Sequence, residues 1–244
     1  MPGRTTPAVA AAAACILLAT GCSSNASTRI QARPAPSASS PTASVSATAS
    51  ANPLQPPAQS PHPTQDELTA ALPTAPPDSR PWAGSTGPVG LLTPDQYLGM
   101  MPAATQQVAR PKETRRGLQF VARRNWAQPD GALVDVRLVR YATPVGAQSY
   151  FLAERTIQRA TNAANAFTIP GIADSGGLAN PTLDKAGNAN VMVQILAGDT
   201  VIIIFEASPA TPDRDGATAI AKQVYPSLCT VQSCSPSTAG TGAV

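Results

Sequence analysis

The residue with the sharpest chemical context is a cysteine near the start of the chain. Leu17-Leu18-Ala19-Thr20-Gly21-Cys22 follows a short beginning that carries Arg4 and an apolar, alanine-rich stretch from Pro7 to Thr20. A basic start, an apolar core and small residues before a cut are the pattern of a secretory signal. Small side chains let a peptidase hold the backbone extended, and the Cys22 thiolate then supplies the nucleophile that takes up a diacylglyceryl group. The pattern predicts residues 1–21 as a lipoprotein signal peptide and Cys22 as the lipidation site. The rest of the chain is then expected on the extracytoplasmic face of the cell membrane, with the lipid at Cys22 as its membrane partner.

The other three cysteines divide simply. Cys15 lies within the signal and is lost with it, whereas Cys229 and Cys234 form a close pair near the C-terminus. In a compartment that permits disulfides, that pair is expected to bond, closing a short loop. Closing so short a loop is worth about 2 kcal/mol on the chain-entropy account. A redox pair would favour closer spacing and a helix N-terminus.

Catalytic constellations are sparse. Ala173-Asp174-Ser175-Gly176-Gly177 contains the Asp-Ser-Gly-Gly that surrounds a protease nucleophile, but such a serine needs a base. The single histidine, His62, falls in the stretch read below as a tether. With no histidine expected in the domain and no second cysteine pair at zinc spacing, neither a metal nor a cofactor is expected. Asp213 and Asp215 flank a helix start, where acids interact with the macrodipole. Glu154, Asp135 and Glu206 are the carboxylates left for a groove-type hydrolase acting on wall or lipid.

Basic residues concentrate in the middle of the chain. Arg110, Lys112, Arg115, Arg116, Arg123, Arg124, Arg137 and Arg140 lie between positions 110 and 141, against Glu113, Asp130 and Asp135. A hairpin closing at Pro129-Asp130 places Arg124 opposite Asp135. Arg115, Arg116, Arg123, Arg137 and Arg140 are then the candidate basic face, suited to an acidic envelope polymer, an anionic lipid or an acidic protein. A net charge of +3 is too small to imply nucleic acid.

The elements that position these residues begin late. Residues 22–88 are dominated by Ser, Ala, Pro, Thr and Gln, with prolines recurring from Pro34 to Pro63. Such a stretch lacks apolar periodicity and is expected to be a disordered tether. Asp66–Leu72 is compatible with a helical turn or two. A globular domain is expected over residues 89–235, followed by a flexible tail at 236–244.

Within the domain, Thr93-Pro94-Asp95 starts a short helix closed by Pro102. Gly117–Trp126 and Ala132–Tyr141 alternate as a hairpin, with Val134, Val136 and Leu138 inward. Thr143-Pro144 begins a helix to about Ala164 that presents Tyr150, Ala153, Ile157 and Ala160. Ile169–Pro181 is a loop or short strand, and Ala189–Leu196 and Thr200–Ala207 form a second hairpin with Gly198-Asp199 at its tip. Val201–Phe205 is apolar without alternation, the mark of a strand covered on both faces. A last helix after Thr211-Pro212-Asp213 carries the stripe Ala217, Ile220, Ala221, Val224, Tyr225 and Leu228. Strand, strand, helix thus occurs twice, which predicts an α+β fold: one antiparallel sheet with two main helices packed on it.

These parts resemble the cell-envelope lipoproteins of actinobacteria, the Ala/Pro-rich first third and Cys22 carrying the likeness. Val201-Ile202-Ile203-Ile204-Phe205 and Ala217–Val224 resemble the closing strand and helix of the extracytoplasmic sensor-type domains of mycobacterial kinases. The leading expectation is a non-catalytic, sensor-like domain that binds a ligand or partner in the envelope, with a carboxylate hydrolase of wall or lipid, or an envelope lipid carrier, as the alternatives. Sensor domains of that kind carry two long-range disulfides, which this chain cannot make.

Overall fold

The computed structural model describes residues 62–234. The signal segment 1–21, Cys22, the part of the tether up to residue 61 and the tail at 236–244 lie outside the described residues. The core is a seven-stranded antiparallel sheet in the order β1-β2-β3-β7-β6-β5-β4. Its strands are β1 (Gly90–Leu92), β2 (Leu118–Ala127), β3 (Leu133–Tyr141), β4 (Ala166–Phe167), β5 (Ser175–Asn180), β6 (Asn188–Ala197) and β7 (Thr200–Pro209). The helices are α1 (Gln65–Ala70), α2 (Pro94–Gly99), α3 (Ala103–Arg116), α4 (Pro144–Asn162) and α5 (Arg214–Cys229).

The sheet is covered on both faces, which explains the unbroken apolar run in β7. Ile202 and Ile204 point into one core with Leu68 of α1, Val134, Val136 and Leu138 of β3, and the α5 stripe. Val201 and Ile203 point the other way, into a second core with Tyr97 and Leu98 of α2, Val139 and Tyr141 of β3, and Ala147 and Phe151 of α4. The two strand-strand-helix units meet where β3 pairs with β7. Their helices take opposite faces of the sheet.

Four expectations change. The domain begins well before residue 89. Thr64 caps α1 in a reciprocal box with Glu67, and Leu68 behind it is fully buried. The Pro73 carbonyl accepts from Arg124, and Arg80 bridges to Ala127. Residues 62–88 therefore pack on the domain, because the few apolar residues at Leu68, Ala71 and Leu72 all reach the same core.

The polar stretch 103–116 is also helical, although Pro111 removes one donor from its ladder. Its Gly117 cap, at φ +76°, takes the left-handed turn that leads into β2. In α4 the buried positions are Gly146, Ala147, Phe151 and Gln158, with Tyr150 half-buried, while Ala160 is exposed. The buried stripe thus sits about one position from the expected one.

The first hairpin is shifted by one residue. Gly131 adopts φ +93°, and the Gln128 amide donates to the Ala132 carbonyl at 2.7 Å. The loop therefore holds three residues instead of two, and Asn125, not Arg124, stands opposite Asp135.

Leu68→Ala tests the earlier boundary. A buried leucine truncated in place should cost about 2–4 kcal/mol in urea denaturation. A loss below about 0.5 kcal/mol, the size of a surface substitution, would return residues 62–88 to the tether.

Candidate functional site

The one-residue shift puts Arg123 and Arg137 opposite each other, on the same face as Asp135. Arg123 Nε donates to Asp135 Oδ1 at 3.0 Å and its Nη2 to Oδ2 at 2.7 Å. Arg137 Nη2 reaches the same Oδ2 at 2.8 Å. Arg123 and Asp135 are each only 2% exposed. Burial pushes the Asp135 carboxyl up, but the Arg123 hydrogen bonds and the Arg137 charge outweigh it and hold it below the usual carboxylate range. The remaining Arg123 donors go to the Thr86 and Pro88 carbonyls and to Ser85 Oγ.

Arg140 is similarly engaged. It pairs with Asp199 at 3.2 Å, bonds Gln119 and lies over the Phe120 ring. The candidate face of Arg115, Arg116, Arg123, Arg137 and Arg140 is therefore not one surface. Three of its five members point to internal partners, because two acids of the sheet face draw them in.

The remaining two converge elsewhere. The C-terminal turn of α3 and the N-terminal turn of α4 enclose an open cleft of about 470 Å³ lined by Lys112, Arg115, Arg116, Thr143, Val145, Gly146 and Ser149. Gly146 allows this close approach, since a Cβ there would overlap the Arg116 carbonyl. Thr143 Oγ1 accepts from the Gly146 amide at 3.1 Å and caps α4, so the positive end of that helix dipole opens into the cleft.

The charges lining the cleft are only partly neutralised. Arg116 is held at 2.5 Å by Glu113, which also accepts from Tyr141 Oη at 2.8 Å. Lys112 and Arg115 make no ion pair or side-chain hydrogen bond among the described residues. Glu154, also near Arg116 and Lys112, has its carboxyl raised by burial against the pull of those bases. Bases in the last turn also suit the carboxyl end of the α3 dipole. A concave, net basic wall with a helix N-terminus is suited to holding an anion. Sequence reading picked out Arg115 and Arg116. It missed Thr143, Gly146 and Ser149, whose contribution depends on α3 folding back against α4.

The other singled-out residues have structural roles. Ser175 Oγ donates to the Ile172 carbonyl at 2.7 Å and accepts from the Ile169 amide, so it is a buried turn clasp. His62 lies against the domain, contrary to expectation, with Nδ1 2.5 Å from Asp199 Oδ2. Asp213 caps α5 by accepting from the Gly216 amide at 2.8 Å. Cys229 and Cys234 are joined by a disulfide, with their Cα atoms 5.5 Å apart. Among the described residues, no three His, Cys, Asp or Glu side chains cluster as a metal would require. A second depression of about 490 Å³ lies between the α1 region and β2, beside Arg80, Arg124 and Trp126.

Glu206 is fully buried, its Oε1 accepting from Ser208 Oγ at 3.2 Å while Oε2 has no hydrogen-bond partner among the described residues. Burial, with Asp213 and Asp130 nearby, pushes its carboxyl up to about 7. Sealed from solvent, it is a poor candidate for a groove acid.

No family model and no curated protein matches the chain. Among solved structures it is similar to the extracellular domain of PknH from Mycobacterium tuberculosis, with a TM-score of 0.46 and 12% identity. The match covers 70% of this chain and 98% of that one.

A carboxyl raised in the folded state binds its proton more tightly than in the unfolded chain. Its stabilising contribution is full below the unfolded value and is lost as pH rises through about 7. The unfolding free energy from urea denaturation should therefore fall between about pH 4.5 and 7.5 by an amount on the order of 2 kcal/mol. Glu206→Gln should flatten that portion of the profile; an unchanged slope would mean Glu206 is ionised in the folded protein.

Proposed function

We propose that the chain is a lipid-anchored extracytoplasmic protein whose domain binds an anionic ligand in the α3–α4 cleft and performs no chemistry on it. The observation that carries this reading is the cleft itself. It brings Lys112 and Arg115, both without an ion pair among the described residues, to the capped N-terminus of α4. Two of the three carboxylates singled out for a hydrolase are committed elsewhere. Asp135 is held by two arginines, and Glu206 is buried under the start of α5. Support for the location comes from the signal pattern before Cys22 and from the Cys229–Cys234 bond, which suits an oxidising compartment.

Binding is tested by titrating the ¹⁵N-labelled protein with inorganic phosphate. Amide shifts should concentrate at residues 112–117 and 143–149, and the Lys112→Gln/Arg115→Gln variant should bind at least tenfold more weakly. Shifts centred elsewhere, or unchanged in the variant, would refute the cleft. Anchoring is tested separately. Cys22→Ala should move the protein from the membrane fraction to the medium, and continued membrane retention would count against lipidation.

A further inference from the structure

The position of the cleft in the fold says more than its charge. The chain enters the described domain at His62, which is bound to Asp199 at the β6–β7 tip. The Asp199 carbonyl accepts from the Tyr141 amide at 2.9 Å, at the end of β3. The next residue, Ala142, donates to the Gly117 carbonyl at 2.8 Å, and Gly117 directly follows Arg116 of the cleft. Gly146 closes against that same Arg116. An unbroken series of contacts thus joins the point where the N-terminal segment arrives to the basic cleft. Both lie at one end of the sheet.

The opposite end differs in charge. There, Leu133 pairs with Ala207 and Asn188 with Pro209. The connections at that end carry Asp130, Asp184, Asp213 and Asp215, against Lys185 and Arg214, with Arg80 beside Ala127 at the end of β2. Asp66 and Glu67 stand near the His62 end, but on α1, which packs on the sheet face away from α3 and α4. Asp174 and Asp199 also lie at the His62 end, Asp199 held by His62 and Arg140, so the positive charge that stands out at that end is the cleft itself on the α3–α4 face. Such a charge distribution orients a protein on a negative surface. Val145, 73% exposed, stands in the cleft wall as an apolar contact among the bases.

We infer that the α3–α4 cleft docks on the phosphate headgroups of anionic lipids in the membrane that anchors the chain. This rests on the anion-binding reading above. Lys112 and Arg115 meet the phosphodiesters, the α4 amino end contributes its dipole, and Val145 meets the headgroup–acyl boundary. Between Cys22 and His62 the chain spans at most about 140 Å fully extended, so an anchored domain is confined close to its membrane. At the resulting effective concentration, a headgroup affinity that is modest for the free protein is enough to hold a tethered one in a fixed orientation.

The test is flotation of purified, unacylated Cys22→Ala protein with phosphatidylcholine vesicles, with and without phosphatidylglycerol. The protein should float with the anionic vesicles and stay down with the neutral ones, and flotation should fall as salt rises. Adding Lys112→Gln and Arg115→Gln should reduce it at least tenfold, while Lys185→Gln and Arg214→Gln at the far end should leave it unchanged. Equal loss in both pairs would mean diffuse charge attraction and would overturn the inference. Failure to float, with the phosphate-induced shifts at residues 112–117 intact, would overturn lipid docking and leave the anion site standing. If neither is seen, both readings fall.

Discussion

One buried carboxylate organises the middle of this protein. Asp135 leaves water at a cost of several kcal/mol and is compensated only by close, multiple pairing. Arg123 and Arg137 supply that pairing from the same sheet face, one from the neighbouring strand and one from its own. The pairing depends on the three-residue loop at Pro129–Gly131. A two-residue turn would move every β2 side chain across the sheet relative to β3. Arg123 then gathers the carbonyls of Thr86 and Pro88, which lays the segment before β1 along the sheet. Register, the position of that segment and the disposal of two arginines thus follow from a single ion cluster.

That cluster also explains where charge remains available. The sequence crowds arginines between positions 110 and 141, and counting them suggests one basic surface. The fold sorts them by element. On β2 and β3, Arg123, Arg137 and Arg140 meet Asp135 or Asp199 and Arg124 bonds the Pro73 carbonyl, whereas the bases at the end of α3 have only Glu113 and Glu154 nearby. The cleft between α3 and α4 is what remains after the sheet has neutralised its own share. A one-dimensional count cannot reveal this, because partner choice depends on a register that differs by one residue from the simplest turn.

Other features were legible for clear physical reasons. The α5 stripe, the Gly198-Asp199 tip and the doubly covered β7 rest on strong periodicity or turn chemistry, and they stand as the sequence suggests. Helix α3 was hidden by Pro111 and by a nearly continuous polar surface with one buried residue, Glu113. The α1 segment was legible as helical turns at Asp66–Leu72, but its packing on the domain was hidden by composition, since the alanines, prolines and threonines there continue those of the preceding stretch. Its one readable signal is the Thr64–Glu67 capping box ahead of Leu68. His62 could not be placed from sequence, because its partner Asp199 lies 137 residues away.

Docking of the α3–α4 cleft on lipid, as proposed, requires the His62 end of the sheet to face the membrane. Paramagnetic broadening of backbone amides by nanodiscs containing anionic lipid and a headgroup spin label measures this directly. It should be strongest at residues 112–117, 142–149 and 198–199, and weak at 128–132 and 184–188. Broadening that is uniform, or strongest at the 128–132 and 184–188 turns, would contradict the account.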